Sequence, residues 1–126
     1  MFKNLIITSF LAVLAIVLGA FGAHALKEVL TLQEISSFET GVRYQMYHVI
    51  VLLFVNMYKE FTIAQKNRIS FIFILGIILF SGSIYVIHLT TITAKQIWFI
   101  TPLGGLTLIL GWLSMIVIFL NKIKNN

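Results

Sequence analysis

The chain has 126 residues, of which 9 are Lys or Arg and 4 are Asp or Glu, so 10% are charged while 60% are hydrophobic. Soluble domains carry roughly 25% charged residues, and a chain this small exposes too much surface for so few charges to keep it dispersed in water. A soluble enzyme is excluded, the net charge of +5 belongs to helix flanks rather than to a nucleic-acid surface, and the absence of cysteine removes disulfides, thiolate catalysis and cysteine metal sites.

The charges cluster, leaving uncharged windows at residues 4–26, 44–58, 69–94 and 96–121. A helix needs about 20 residues to cross a hydrocarbon core of roughly 30 Å, and three of these windows reach that length. The second is short, but Arg43 can snorkel to the headgroups while the helix starts near Phe38. The expectation is an all-α membrane protein, one domain over residues 1–126. It is a four-transmembrane-helix bundle with spans near 5–25, 38–58, 69–88 and 97–120.

The first span starts like a secretory signal, with Lys3, an apolar stretch and the small-x-small run Ala23-His24-Ala25. Its uncharged run is longer than a usual signal core, so a retained helix is expected. The connection over residues 26–37 is the longest and most polar. Thr31 and Glu34 have the spacing of a capping box and predict a short interfacial helix there, with Leu26, Val29, Leu30, Leu32, Ile35 and Phe38 on its apolar side. A basic loop at 59–68 and a threonine-covered turn at 89–96 join the remaining spans. Pro102 belongs in the first turn of the last helix or opens a kink in it. Lys3, Lys59, Lys66, Arg68, Lys122 and Lys124 fall on one side of this arrangement, against Lys27, Arg43 and Lys95 on the other. By the positive-inside rule both termini face the cytoplasm.

Small residues recur at three- and four-residue spacing and predict close helix packing at Gly19, Gly22 and Ala23, at Gly76 and Gly82, and at Gly104, Gly105 and Gly111. Trp112 and the phenylalanines are expected to fill gaps or face lipid.

The topology carries His24, His88 and the start of the second helix to one end. Glu39, Arg43 and Tyr47 follow each other at i,i+4 and share a face, with Gln45 and His48 on neighbouring faces. Ionisable groups inside a membrane are expensive, which makes His24, Glu39, Arg43, Tyr47 and His48 the candidate site. Three readings apply to it: a structural network, recognition of a lipid headgroup or other small polar group by Arg43, and a metal site on His24, His48, His88 and Glu39. No two-histidine motif at fixed helical spacing and no second acidic ligand within a span accompanies those histidines, so no metal and no cofactor is expected. Ser81 and His88 lie seven residues apart on one helix, a rise of about 10.5 Å, and cannot act as a nucleophile and base pair. Asn56 is expected to hydrogen-bond between helices.

The stretches Leu18–Leu26, Phe38–His48, Gly76–Tyr85 and Ile100–Gly105, followed by Gly111-Trp112, together resemble uncharacterised protein family 0382, also described as domain of unknown function 423, with eukaryotic relatives of the small transmembrane protein 256 type. The resemblance covers all four expected spans in order. It implies a small bacterial inner-membrane protein of four helices and implies no activity. The leading expectation is therefore a non-enzymatic module that contacts membrane lipids or proteins, as a homo-oligomer or within a larger membrane complex, without nucleic acid. A small transporter or channel with a polar site in the outer half of the bundle is the alternative, although no Asp or Glu lies centrally in any span. A histidine-dependent intramembrane enzyme is the second alternative.

Overall fold

A computed structural model describes residues 2–125. Four long helices account for most of it: α1 (Phe2–His24), α2 (Leu32–Met57), α3 (Ile63–Leu89) and α4 (Ile100–Asn125). Three of them, α1, α3 and α4, are long and apolar enough to cross a membrane. The other, α2, is as long but carries Glu34, Glu39 and Arg43 in its first half.

The helices run past the expected spans, because a charge does not end a helix. Lys66 and Arg68 sit on the first turns of α3 rather than in a loop, and the 59–68 connection shrinks to a turn over residues 58–62. Thr62 caps α3, accepting from the Gln65 amide at 3.2 Å while the Gln65 side chain accepts from the Thr62 amide at 2.9 Å. At the opposite end of α3 the connection is longer than expected, because α4 begins only at Ile100 and places Pro102 in its first turn, where a missing amide proton is harmless.

The expected interfacial helix is corrected. Its capping box exists, but it opens α2 itself: Thr31 accepts from the Glu34 amide at 3.3 Å, and the Glu34 carboxylate accepts from the Thr31 amide at 2.8 Å. Ser36, Ser37, Thr40 and Gly41 do not break the helix, which continues to Met57. Only a single 3-10 turn, Leu26–Glu28, stands between α1 and Thr31.

The closest pairings are between sequence neighbours, a row in chain order, and side chains also join α1 to α3 and α2 to α4. The register is antiparallel throughout. Asn4, Leu11 and Gly22 of α1 meet Asn56, Gln45 and Phe38 of α2. Gly41 and Asn56 of α2 meet Ser81 and Ser70 of α3. Phe73, Gly76 and Ser83 of α3 meet Gly111, Leu108 and Thr101 of α4.

The α3–α4 seam shows why glycine is needed. In lipid, burying an apolar side chain gains little, so close van der Waals approach must hold helices together. A Cβ on Gly76 would lie 2.5 Å from Leu108 Cδ2, and one on Gly111 would lie 2.6 Å from the Phe73 ring. Each glycine is thus the hole for a large side chain opposite. A Cβ on Gly104 would collide with the backbone of Leu79 and Phe80. That contact lies where α3 widens into a π segment, Ile78–Gly82. Across α1 and α2, Gly22 lies under the Phe38 ring and Gly19 beside Val42. Ala23 is half-buried. The packing expected of Gly82 does not occur, since a Cβ there would meet open space, and Gly105 makes only ordinary contacts with Phe80.

Two outcomes follow from this packing. Gly104→Ala should destabilise the folded protein by about 1–3 kcal/mol through overpacking, whereas Gly82→Ala should be neutral or stabilising by up to about 1 kcal/mol; denaturant titration in mixed micelles compares them. Glu34 lies ahead of the segment read as spanning, and the amide and hydroxyl of Thr31 hold its carboxyl below the usual carboxylate value. A lowered folded-state pKa gives stability that is present above the unfolded value and disappears as pH falls through the folded value. The Thr31 amide shift should therefore move toward an uncapped value on acidification, and Glu34→Gln should abolish that pH dependence.

Candidate functional site

The candidate residues divide between an exposed face and the interior. Glu39, Arg43 and Tyr47 line the face of α2 turned away from α1 and α3. Arg43 Nη1 lies 3.7 Å from Glu39 Oε2, Nη2 donates to Thr40 Oγ1 at 3.1 Å, and both charged side chains are half exposed. Such an exposed pair contributes about 0.2–1 kcal/mol, so it does little to fix the helix. Tyr44 and Tyr47 stand beside it with ring centroids 5.9 Å apart, and Ile50, Phe54 and Met57 continue the exposed face as an apolar stripe.

His48 points the other way. Trp112 Nε1 of α4 donates to its Nε2 at 3.2 Å, and its Nδ1 lies 2.6 Å from the Tyr44 carbonyl oxygen. An indole can only donate, so Nε2 is the acceptor and Nδ1 carries the proton. Both ring nitrogens are consumed. The ring also packs against Phe73 at 5.5 Å between centroids, making His48 a latch between α2, α3 and α4. His24 is exposed at the end of α1 and His88 is half-buried near the end of α3. The three histidines and Glu39 do not converge; among the described residues no group of three or more such side chains is placed to hold a metal ion.

The remaining buried polar groups also serve helix pairing. Gln45 donates to the Leu11 carbonyl of α1 at 2.7 Å and accepts from the Tyr85 hydroxyl of α3 at 2.6 Å. Ser81 donates to the Gly41 carbonyl at 2.6 Å, a bond between α3 and α2 that occupies its hydroxyl. Ser83 and Thr101 join α3 to α4 through hydroxyls 2.6 Å apart.

A second polar cluster lies at the end that carries the chain termini. Asn4 Nδ2 donates to Asn56 Oδ1 at 3.0 Å and to Asn67 Oδ1 at 2.9 Å. Asn56 Nδ2 donates to Leu52 O and to Ser70 Oγ, both at 2.9 Å. Lys66 Nζ donates to the Asn56 carbonyl at 3.0 Å. Sequence reasoning identified Asn56 but not Asn4, Asn67 or Lys66. The first two look like flank residues beside Lys3 and Arg68, and only the antiparallel register brings them to one level. Trp112 reads as filler from the sequence for a similar reason, since nothing in its own helix marks a hydrogen-bonding role.

Trp112→Phe keeps an aromatic ring but orphans His48 Nε2, and should cost about 1–3 kcal/mol. A double-mutant cycle with His48→Phe should return a coupling of about 1 kcal/mol, read by reversible unfolding in mixed micelles.

The model of the family described as "Protein of unknown function (DUF423)" matches residues 18–105. That range contains the π segment, the whole of α2 and the start of α4 with Gly104. A UPF0382 membrane protein of Staphylococcus saprophyticus is 39% identical over 106 residues, covering 84% of this chain and 87% of the relative. The UPF0382 membrane protein YwdK of Bacillus subtilis is 38% identical over 108 residues, covering 84% of this chain and 86% of the relative. The UPF0382 inner membrane protein YgdD of Escherichia coli is 36% identical over 110 residues, covering 81% of this chain and 77% of the relative. No solved structure matches the chain. With a family model covering most of its length and relatives matched along more than three quarters of theirs, the chain belongs to the DUF423, or UPF0382, family of small bacterial membrane proteins.

Proposed function

We infer that the protein is a non-enzymatic, four-crossing module of the bacterial inner membrane with both termini in the cytoplasm. Its recognition surface is the α2 face bearing Glu39, Arg43 and Tyr47. The observation that carries this reading is the division of polar groups. His48, Gln45, Ser81 and Asn56 spend their donors and acceptors holding helices together. Among the described residues no buried side-chain nitrogen or oxygen lacks a partner. Chemistry available to a partner is left on the outside, where Arg43 offers a half-exposed guanidinium beside two tyrosines.

A guanidinium at the depth of the headgroups can take a phosphate or carboxylate through two parallel hydrogen bonds, and tyrosines suit the same interfacial layer. Glu39 then serves as the internal counter-charge that an anion displaces. His24 and His88 belong to the same end and would modulate such an anion without binding metal. The occupied ring nitrogens of His48 argue against proton carriage through the bundle, which disfavours the transporter reading.

Passage of α2 through the membrane is supported by its 26 residues, about 39 Å at 1.5 Å per residue. Its antiparallel register with α1 and α3 extends from Phe38 to Asn56. The orientation is supported by the excess of Lys and Arg at the end bearing the termini. The name of the Escherichia coli relative supports the inner membrane as its location. The same proposal extends the kinship to eukaryotic proteins of the small transmembrane protein 256 type.

The absence of native cysteine makes the topology directly testable. In intact spheroplasts an impermeant maleimide should label Thr91→Cys and spare Lys124→Cys; the reverse pattern would refute the orientation, and labelling of both would refute the crossing by α4. For the recognition face, Arg43→Ala should change the set of lipids and proteins that co-purify with the folded protein. An unchanged inventory would return Arg43 to an architectural role.

A further inference from the structure

The end of the bundle that carries the termini holds six basic side chains, Lys3, Lys59, Lys66, Arg68, Lys122 and Lys124, against one acid, Glu60. That acid is 3.8 Å from Lys122 Nζ. Lys66 differs from the other five in being only 8% exposed. Its Nζ makes one hydrogen bond, to the Asn56 carbonyl oxygen at 3.0 Å. The ion pairs among the described residues are Arg43 with Glu39 and Lys122 with Glu60, so Lys66 has no carboxylate partner there. An ammonium carries three donors and a unit charge, and a single carbonyl uses one donor while leaving most of the charge uncompensated. A buried charge in this state is costly unless an anion reaches it.

An approach for that anion exists. Leu5 of α1, Asn56 and Met57 of α2, Lys59 of the turn and Lys66 of α3 line an open recess of about 330 Å³. Lys59 brings a second basic side chain to the lining. Leu5 and the strongly exposed Met57 supply apolar walls on the side of the surrounding hydrocarbon. At the start of α3 the amides of Thr62 and Gln65 are already taken by the capping box. Two cations above an apolar wall, at the end of a membrane helix, match one phosphate with an acyl chain below it.

We propose that this recess binds the phosphate of an anionic phospholipid, with Lys66 and Lys59 holding its oxygens and the acyl chain lying along Leu5 and Met57. The proposal rests on the function inferred above only for the leaflet that supplies the lipid, which is the cytoplasmic one. Lys66 thereby does two jobs: it closes the last turn of α2 through Asn56 and presents its remaining donors to the lipid. The site is separate from the Arg43 face, which lies toward the opposite end of α2.

The test uses the full chain in nanodiscs containing phosphatidylglycerol and phosphatidylcholine, with retained lipids counted by native mass spectrometry. Both lipids face both sides of a nanodisc, so the readout is independent of orientation, and every variant is compared in an Arg43→Ala background so that the opposite face contributes nothing to the count. The wild-type protein should retain phosphatidylglycerol over phosphatidylcholine by about tenfold. The pair Lys59→Met and Lys66→Met should abolish that preference, whereas Arg68→Met with Lys124→Met, which removes the same charge from the same end, should keep it. Equal loss in both pairs would overturn the site in favour of a diffuse field. Retention of the preference in the first pair would reduce Lys66 to a helix cap. Lys66→Arg, which preserves the charge, should keep the preference, and Lys59→Met alone, at an exposed position, should lower it severalfold; failure of either overturns the proposal even if the double variant does not fold. Equal thermal stabilisation by inorganic phosphate in lipid-free detergent would replace the lipid by a free anion and also overturn it.

Discussion

Cohesion in this protein depends on backbones coming close together, because the surrounding hydrocarbon is as apolar as the side chains it would replace. The α3–α4 seam expresses that constraint most directly. Gly76 receives Leu108, Gly111 receives Phe73, and Gly104 lies against the α3 backbone itself. Once those surfaces meet, Trp112 is carried to His48 and Thr101 to Ser83, so the specific hydrogen bonds depend on the glycines. The same logic places Gly22 under Phe38 and brings Gln45 within reach of both Leu11 and Tyr85. Small residues permit the approach, and polar pairs then select the register.

The polar groups accordingly form three tiers. Between the ends, Gln45, His48 and Ser81 are spent on helix pairing. Near the termini, Asn4, Asn56, Asn67 and Ser70 join three helices, with Lys66 bringing charge into the network. Toward the other end, Glu39 and Arg43 remain on the outside.

Much of the fold was legible because the signals were long-range averages. Charge clustering located the helices, whereas the Thr62–Gln65 capping box that starts α3 lay unmarked inside the expected 59–68 loop. Local inferences did less well where tertiary context decided the outcome. The Thr31–Glu34 box was read as a separate interfacial helix, but nothing in Ser36 to Gly41 stops a helix whose other face packs on α1 and α3. Gly82 looked like another packing glycine, yet the π segment leaves it facing open space. The i,i+4 face of Glu39, Arg43 and Tyr47 was readable from helical geometry alone. The His48–Trp112 contact, spanning residues on two different helices, required the register that only packing supplies.

The row order of the helices bears on how such a chain is made. Because each helix packs on the one before it, α2 finds α1 already in place, α3 finds α2, and α4 finds α3. Most of the packing can proceed at the pace of synthesis, with Asn4 of α1 completing its bonds on α3 and His48 of α2 waiting for Trp112 of α4, and sequence-local pairing of this kind lowers the entropy lost in each closure. The last helix to leave the ribosome meets the glycine-lined seam after the rest of the row exists, so docking of α4 is the step that completes the native packing.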